Sequence, residues 1–168
     1  MIQNFHYLLD SNIISEIIKP NPNFSVIKKL AEHSGDCAIS STTWHELIFG
    51  VEQLEQGLRK TEINKFIQDD VKDSFDILPY TKESAEIQGQ IRAQLKAKGF
   101  SVPFADSQIA SIAIANNMIL VTRNTKDFAQ ISSVSNLMLE NWCEETAVKG
   151  DELEKMKQQL LAELEKLL

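Results

Sequence analysis

Four apolar runs too short to be helices punctuate the chain: His6-Tyr7-Leu8-Leu9, Cys37-Ala38-Ile39-Ser40, Phe75-Asp76-Ile77-Leu78 and Met118-Ile119-Leu120-Val121. Near-continuous apolar character belongs to strands covered on both faces, as in parallel sheets. Between the runs lie stretches with helical spacing. Leu47, Val51, Leu54 and Leu58 predict one stripe along a single long helix. Ala85, Ile87, Ile91 and Leu95 predict a second helix over residues 81–98, and Ile109, Ile112 and Ala113 a third over about 105–116. Capping side chains stand at the expected starts: Asp10 or Ser11, the run Ser41-Thr42-Thr43, and Thr81. Asn116-Asn117 closes the third helix. Strands alternating with helices imply right-handed crossovers, so the expected fold is α/β, a doubly wound and mostly parallel sheet flanked by helices.

In such sheets chemistry collects beyond the carboxyl ends of the strands, near the reversal of strand order. Asp10 ends the first run, with Ser11 and Asn12 beside it, and Asn124 follows Val121-Thr122-Arg123, with Asp127 three residues on. Glu46 falls one turn into the helix after the Ser/Thr run. Asp106 opens an otherwise apolar helix, delivered by a loop holding Gly99 and Pro103. Singly, each has a plainer account: Asp10 and Asp106 as helix caps, Glu46 as a favourable charge in a first turn. Together they form the oxygen-rich set that holds a hard divalent cation, which points to magnesium-dependent phosphate-ester chemistry. His45 is read as a surface or packing residue, because neighbours on a helix point about 100° apart. An aspartyl-nucleophile phosphatase would want an Asp where Asn12 stands.

The balance of 17 basic and 24 acidic residues gives a net charge of −7. That disfavours a general nucleic-acid coat, whose affinity rests on Lys and Arg. It leaves room for an enzyme that grips a short stretch of RNA beside bound metal, since cations reverse the field of clustered carboxylates. Two cysteines, Cys37 and Cys143, are too few for a zinc site or a disulfide framework. No apolar run reaches the roughly 18 residues of a membrane span, and the N-terminus is unlike a secretory signal. A cytoplasmic protein is expected, with no membrane partner.

The segments Leu9-Asp10-Ser11-Asn12, Ser41-Thr42-Thr43-Trp44-His45-Glu46-Leu47-Ile48-Phe49-Gly50-Val51, the Asp106 helix and Leu120-Val121-Thr122-Arg123-Asn124-Thr125-Lys126-Asp127-Phe128 resemble the PIN-domain ribonucleases, and most nearly the VapC toxins of type II toxin–antitoxin pairs. The likeness covers about residues 5–142. It implies an acidic pocket that binds Mg²⁺ or Mn²⁺ and hydrolyses single-stranded or loop RNA. The family's motif acids fall on Asp10, Glu46 and Asp106, the expected metal ligands. The fourth position, where an Asp is common, holds Asn124, and Asp127 is its possible substitute. A second ion near Asn124 or Asp127 is therefore an open matter at this stage. Ser11, Asn12, Thr122 and Arg123 are candidates to orient ligands or contact phosphate. The likeness further implies a cognate antitoxin and a homodimer. The alternative is a catalytically weakened PIN-like binding module that lacks the fourth acidic ligand.

Composition changes after Lys149-Gly150. Leu153, Met156, Leu160, Leu164 and Leu167 make an amphipathic stripe, widened by Leu161 and Leu168. The expected organisation is a nuclease domain over 1–145 and a C-terminal helix over 150–168. That helix packs back on the domain, associates with a partner or second copy, or is an appended segment.

Overall fold

The computed structural model describes residues 5–143. The helix expected over 150–168 lies outside the described residues. Five parallel strands form one sheet in the order β3-β2-β1-β4-β5: β1 (Tyr7–Leu9), β2 (Cys37–Ser40), β3 (Asp76–Leu78), β4 (Ile119–Val121) and β5 (Met138–Glu140). The chain winds outward from β1 through β2 to β3, then returns to the other side of β1 with β4 and continues to β5. Strand order therefore reverses at β1 and β4, the place where doubly wound sheets build their sites.

Register explains the apolar runs. Leu8 pairs with Ala38 and Leu120, while Leu9 pairs with Ile39 and Val121. Successive side chains leave opposite faces of a strand. Leu8, Ala38 and Leu120 accordingly join one core with Ile91, Leu95, Ile109, Ile112 and Phe128. Leu9, Ile39 and Val121 join the other with Ile13, Ile14, Val26, Leu47 and Trp142. Because both faces are covered, the central strands are apolar apart from residues whose polar groups are satisfied, such as Ser40 at the end of β2.

Helices α6 (Lys82–Ala97), α7 (Phe104–Ala115) and α8 (Thr125–Ser132) supply the first core. Helices α1 (Ser11–Ile17), α2 (Phe24–Glu32) and α3 (Ser41–Glu52) supply the second, with α4 (Leu58–Lys65) running on through a π-helical stretch over Phe66–Val71 into α5 (Lys72–Ser74). Two helices, α2 and α8, and one strand, β5, were not expected from the sequence.

Three expectations need correction. The long stripe stops at α3, and Leu58 begins a separate helix with 75% of its surface exposed. Lys60 reaches back to the Glu52 carbonyl at 3.1 Å and its carboxylate at 3.0 Å, satisfying a helix end that would otherwise be left open. The cap of α3 is Ser40, whose Oγ accepts from Thr43 N at 2.9 Å, so Ser41, Thr42 and Thr43 are inside the helix. On α6 the buried face carries Ser84 and Gln88 beside Ile91 and Leu95, while Ala85 faces solvent. Gln88 survives burial because its amide donates to Ser107 Oγ at 2.8 Å and the Phe104 carbonyl at 3.2 Å, and Tyr80 donates to its oxygen. Thr81 caps α6 and Asn116 ends α7 as expected, with Asn117 at φ 54° turning the chain into β4. Gly99, at φ 77°, gives the left-handed turn that closes α6 and releases the loop toward Asp106.

Candidate active site

Asp10 sits where β1 ends, and only 5% of it is exposed. Its backbone N–H still donates to the Val121 carbonyl at 3.0 Å, so the strand's last ladder bond fixes it against β4. Its Oδ1 accepts from the Ser11 amide at 2.7 Å, which makes it the N-cap of α1. Its Oδ2 accepts from Asn12 Nδ2 and from Thr122 Oγ1, each at 2.7 Å. Thr122 lies just past β4, 112 residues away. Burial pushes the Asp10 carboxyl above its ordinary range despite these donors. The simple capping role and the buried-acid role are both present, and capping alone does not need three more side-chain partners.

Glu46 arrives by a different route. Thr43 contacts Ser40 Oγ at 2.9 Å and donates to the Leu9 carbonyl at 3.4 Å, tying the start of α3 to the end of β1. One turn on, Glu46 Oε2 accepts from Ser11 Oγ at 2.7 Å. Ser11 therefore links Asp10 and Glu46. Burial raises the Glu46 carboxyl, and the charge of Asp10 adds to it.

Asp106 stands in the first turn of α7 behind Pro103. Burial raises its carboxyl to about 6, and the charges of Asp10, Glu46 and Asp127 add to the rise. The helix N-terminus favours a carboxylate there by about 0.3–1 kcal/mol, less than one pKa unit, and loses to burial and three like charges. Asp106 thus shares one electrostatic neighbourhood with Asp10, Glu46 and Asp127, four acids from four parts of the chain.

The fourth segment divides its duties. Asn124 holds the N-cap position of α8 without a capping bond from its side chain. Its carbonyl accepts from Asp127 N at 3.0 Å, and its amide donates to Thr122 Oγ1 at 3.0 Å. Asp127, in the first turn of α8, is the member whose charge reaches Asp106. Arg123 points elsewhere: its amide donates to Asn12 Oδ1 at 3.1 Å and its guanidinium meets Glu16 at 3.4 Å. Glu16, 4% exposed, was not singled out from the sequence. Burial tends to raise it, but the hydrogen bond and charge of Lys19, the Asn23 amide and the Arg123 charge hold it below its usual range. Its signal in sequence was an acid on the buried side of α1 beside Ile13 and Ile14. His45 is exposed and stacks on Phe49, as a surface residue.

The PIN domain family matches residues 7–134 of this chain. The chain belongs to the PIN-domain family. Among its relatives, Ribonuclease VapC2 of Rickettsia felis is 35% identical over 138 residues, covering 81% of this chain and 97% of the relative. The tRNA(fMet)-specific endonuclease VapC of Shigella flexneri is 35% identical over 136 residues, with the same two shares of 81% and 97%. Among solved structures, VapBC2 from Rickettsia felis bound to a DNA fragment from their promoter superposes with a TM-score of 0.71 at 31% identity, over 82% of this chain and 99% of that one. The PIN assignment and the α/β fold expected from the sequence both hold.

Does the PIN pocket suit a divalent ion? Among the described residues no three His, Cys, Asp or Glu side chains are grouped closely enough to enclose one. Mg²⁺ does not need such a cage, since it keeps several waters and takes one or two carboxylates with substrate phosphates. The donors here are carboxylate oxygens whose mutual repulsion a cation would relieve, so the set suits an open site.

That repulsion has a measurable consequence. Asp106 is raised on folding, so its contribution to stability is full below about pH 4 and is lost as pH rises through about 6. Asp106→Asn removes this cost. After discounting for its partial exposure, the variant without divalent ion should melt about 2–4 °C above the parent at pH 8, and near it at pH 4. Thermal unfolding in chelator at the two pH values checks this; equal melting points at pH 8 would remove the assigned cause.

Proposed function

We propose that this chain is a metal-dependent endoribonuclease that hydrolyses RNA phosphodiester bonds, the toxin of a toxin–antitoxin pair working in the cytoplasm. The observation that carries the reading is the convergence of Asp10, Glu46 and Asp106 from separate elements: Ser11 bonds both Asp10 and Glu46, and burial, the largest cause in each case, raises all three carboxyls. The ribonuclease names of its relatives support it. Buried acids that repel one another are costly to keep unless a cation is to be held.

Asp10 and Asp106 would hold the ion, Mg²⁺ or Mn²⁺, with Glu46 binding its waters. When bound, it polarises the scissile phosphate and makes a water nucleophilic near neutral pH. Ser11, Asn12 and Thr122 set the direction of the Asp10 oxygens, and Ser11 also fixes Glu46. Asp127 supplies the fourth negative charge that Asn124 lacks. The backbone N–H of Asn124 steadies Thr122. This reading weakens the alternative of a catalytically idle module, whose support was the missing fourth acid. Ser11 and Asn12 line the approach for a phosphate, while Arg123 is held by Glu16.

The relative solved as a VapBC2 assembly with promoter DNA supports a partner antitoxin for this chain as well. A basic side chain of that partner among the acids would block the pocket, and a homodimer is the expected form of the toxin. The test is cleavage of single-stranded RNA and of tRNA by the purified chain with Mg²⁺, with chelator, and with Mg²⁺ restored. Cutting that stops in chelator and returns with Mg²⁺ is expected. Undiminished cutting in chelator would overturn the metal assignment, and no cutting under any condition would overturn the nuclease.

A further inference from the structure

A nuclease with this pocket faces a problem of attraction. The whole chain carries −7, and four carboxylate segments crowd the reactive end. Pulling in a polyanion by charge alone is therefore poorly served. A grip that carries no charge avoids the conflict, and unpaired nucleobases offer one through their flat faces.

Two phenylalanines are placed for it. Phe49 lies on α3 three residues after Glu46, and Phe104 opens α7 two residues before Asp106. Both are exposed, at 54% and 58%, though large apolar rings normally seek the interior. Both are backed on one side by a planar nitrogen-rich group. The His45 ring lies 6.0 Å from Phe49 at an interplanar angle of 16°. The Arg92 guanidinium lies 5.1 Å from the centre of Phe104. Arg92 is itself steadied by the Val102 carbonyl and Ser107 Oγ, each at 3.4 Å. The starts of α3 and α7 are joined by a 3.5 Å hydrogen bond from Thr42 Oγ1 to Gln108 Oε1, so the two helices that carry these rings and the acids Glu46 and Asp106 are neighbours. A ring supported behind and open in front is a stacking platform that loses little freedom when a base settles on it.

We propose that Phe49 and Phe104 are base-stacking residues that hold two unpaired nucleobases of an RNA strand on either side of the phosphate at the acidic pocket. The inference rests on the nuclease reading above and deepens it. It names the residues that would grip the unpaired bases of such an RNA, and it makes base pairing at the cleavage point inhibitory. His45 and Arg92 are positioning residues for the two rings.

The experiment uses the full chain with Mg²⁺ and a single-stranded RNA carrying 2-aminopurine, whose fluorescence falls when it stacks. Phe49→Ala and Phe104→Ala are each expected to raise KM by about 5- to 100-fold, with kcat nearly unchanged and with less fluorescence quenching. Phe49→Trp and Phe104→Trp should restore both. Both Ala changes are at exposed positions, so unfolding is checked by the melting point, and the Trp variants keep the test decisive if an Ala variant is unstable. Unchanged KM and quenching would overturn the stacking role. A fall in oligomeric mass that accompanies the loss would also overturn it, since the rings would then cover a second copy of the chain. A parent that cleaves while its Ala variants match it removes the stacking inference alone. A parent that neither cleaves nor binds the RNA removes the nuclease reading with it.

Discussion

Asp10→Asn lowers RNA cleavage by about 100-fold or more while the protein stays folded. The fall follows from the charge. An ion-holding carboxylate contributes several kcal/mol of transition-state stabilisation, and each 1.36 kcal/mol is tenfold in rate. The fold survives for reasons visible around the residue. Asn is as good an N-cap as Asp, so the 2.7 Å bond from Ser11 N persists. Burial already works against the charged form of Asp10, so neutralising it relieves a cost. Against this, an amide NH₂ would face the donors of Asn12 and Thr122, although the Thr122 hydroxyl can turn to accept. The two effects oppose, and a melting point within a few degrees of the parent is expected. Single-turnover cleavage with saturating Mg²⁺ and a thermal melt make the pair of measurements. A parental rate would remove Asp10 from the site, and an unfolded variant would show that the hydrogen bonds from Asn12 and Thr122 dominate.

The second large effect lies far from the chemistry. Trp142 is 1% exposed and closes the sheet after β5. Its ring meets Tyr7 edge-on at 5.1 Å and stacks with His33 at 5.7 Å, while Lys29 lies 5.9 Å from its centre. Its Nε1 donates to Glu140 at 2.7 Å, so the buried indole is satisfied. Trp142→Ala should cost about 3–5 kcal/mol through lost burial and the cavity left behind. For a chain of this size that lowers the melting point by roughly 6–20 °C. Trp142→Phe should recover more than half, because it refills most of the space and loses the hydrogen bond. Urea unfolding separates the cases; an Ala variant within about 1 kcal/mol of the parent would mean that the neighbouring residues collapse into the gap.

The central strands were legible because β1, β2 and β4 are covered on both faces and are therefore almost wholly apolar, Ser40 at the end of β2 being hydrogen-bonded. β5 was not, since its apolar run is only Leu137-Met138-Leu139, enclosed by Asn136 and Glu140, and an edge strand with Met138 half exposed needs no longer one. Helix α2 carried an available signal in Asn23 followed by Val26, Ile27 and Leu30, and the structure has Asn23 capping it. Helix α8 was hidden because its first turn, from Thr125 to Phe128, was read as a motif rather than as an element. The acids were legible at strand ends and helix starts, where local rules concentrate them. Their partners were not: that Thr122 serves Asp10, or that Ser11 joins Asp10 to Glu46, depends on which strands become neighbours. The Asp127 contribution to Asp106 likewise comes from the β1–β4 reversal, which spacing along the chain does not encode.

The pairing of β1 with β4 also sets when the pocket can exist. Residues 10 and 122 meet only after β4 docks beside the first strand, with β2 and β3 already wound on the other side. A ribosome extending this chain therefore presents Asp10 and Glu46 long before it releases Asp106, Thr122 and Asp127. Contacts of such long separation form late and slowly. The growing polypeptide thus cannot assemble the proposed acidic pocket until β4 has been made.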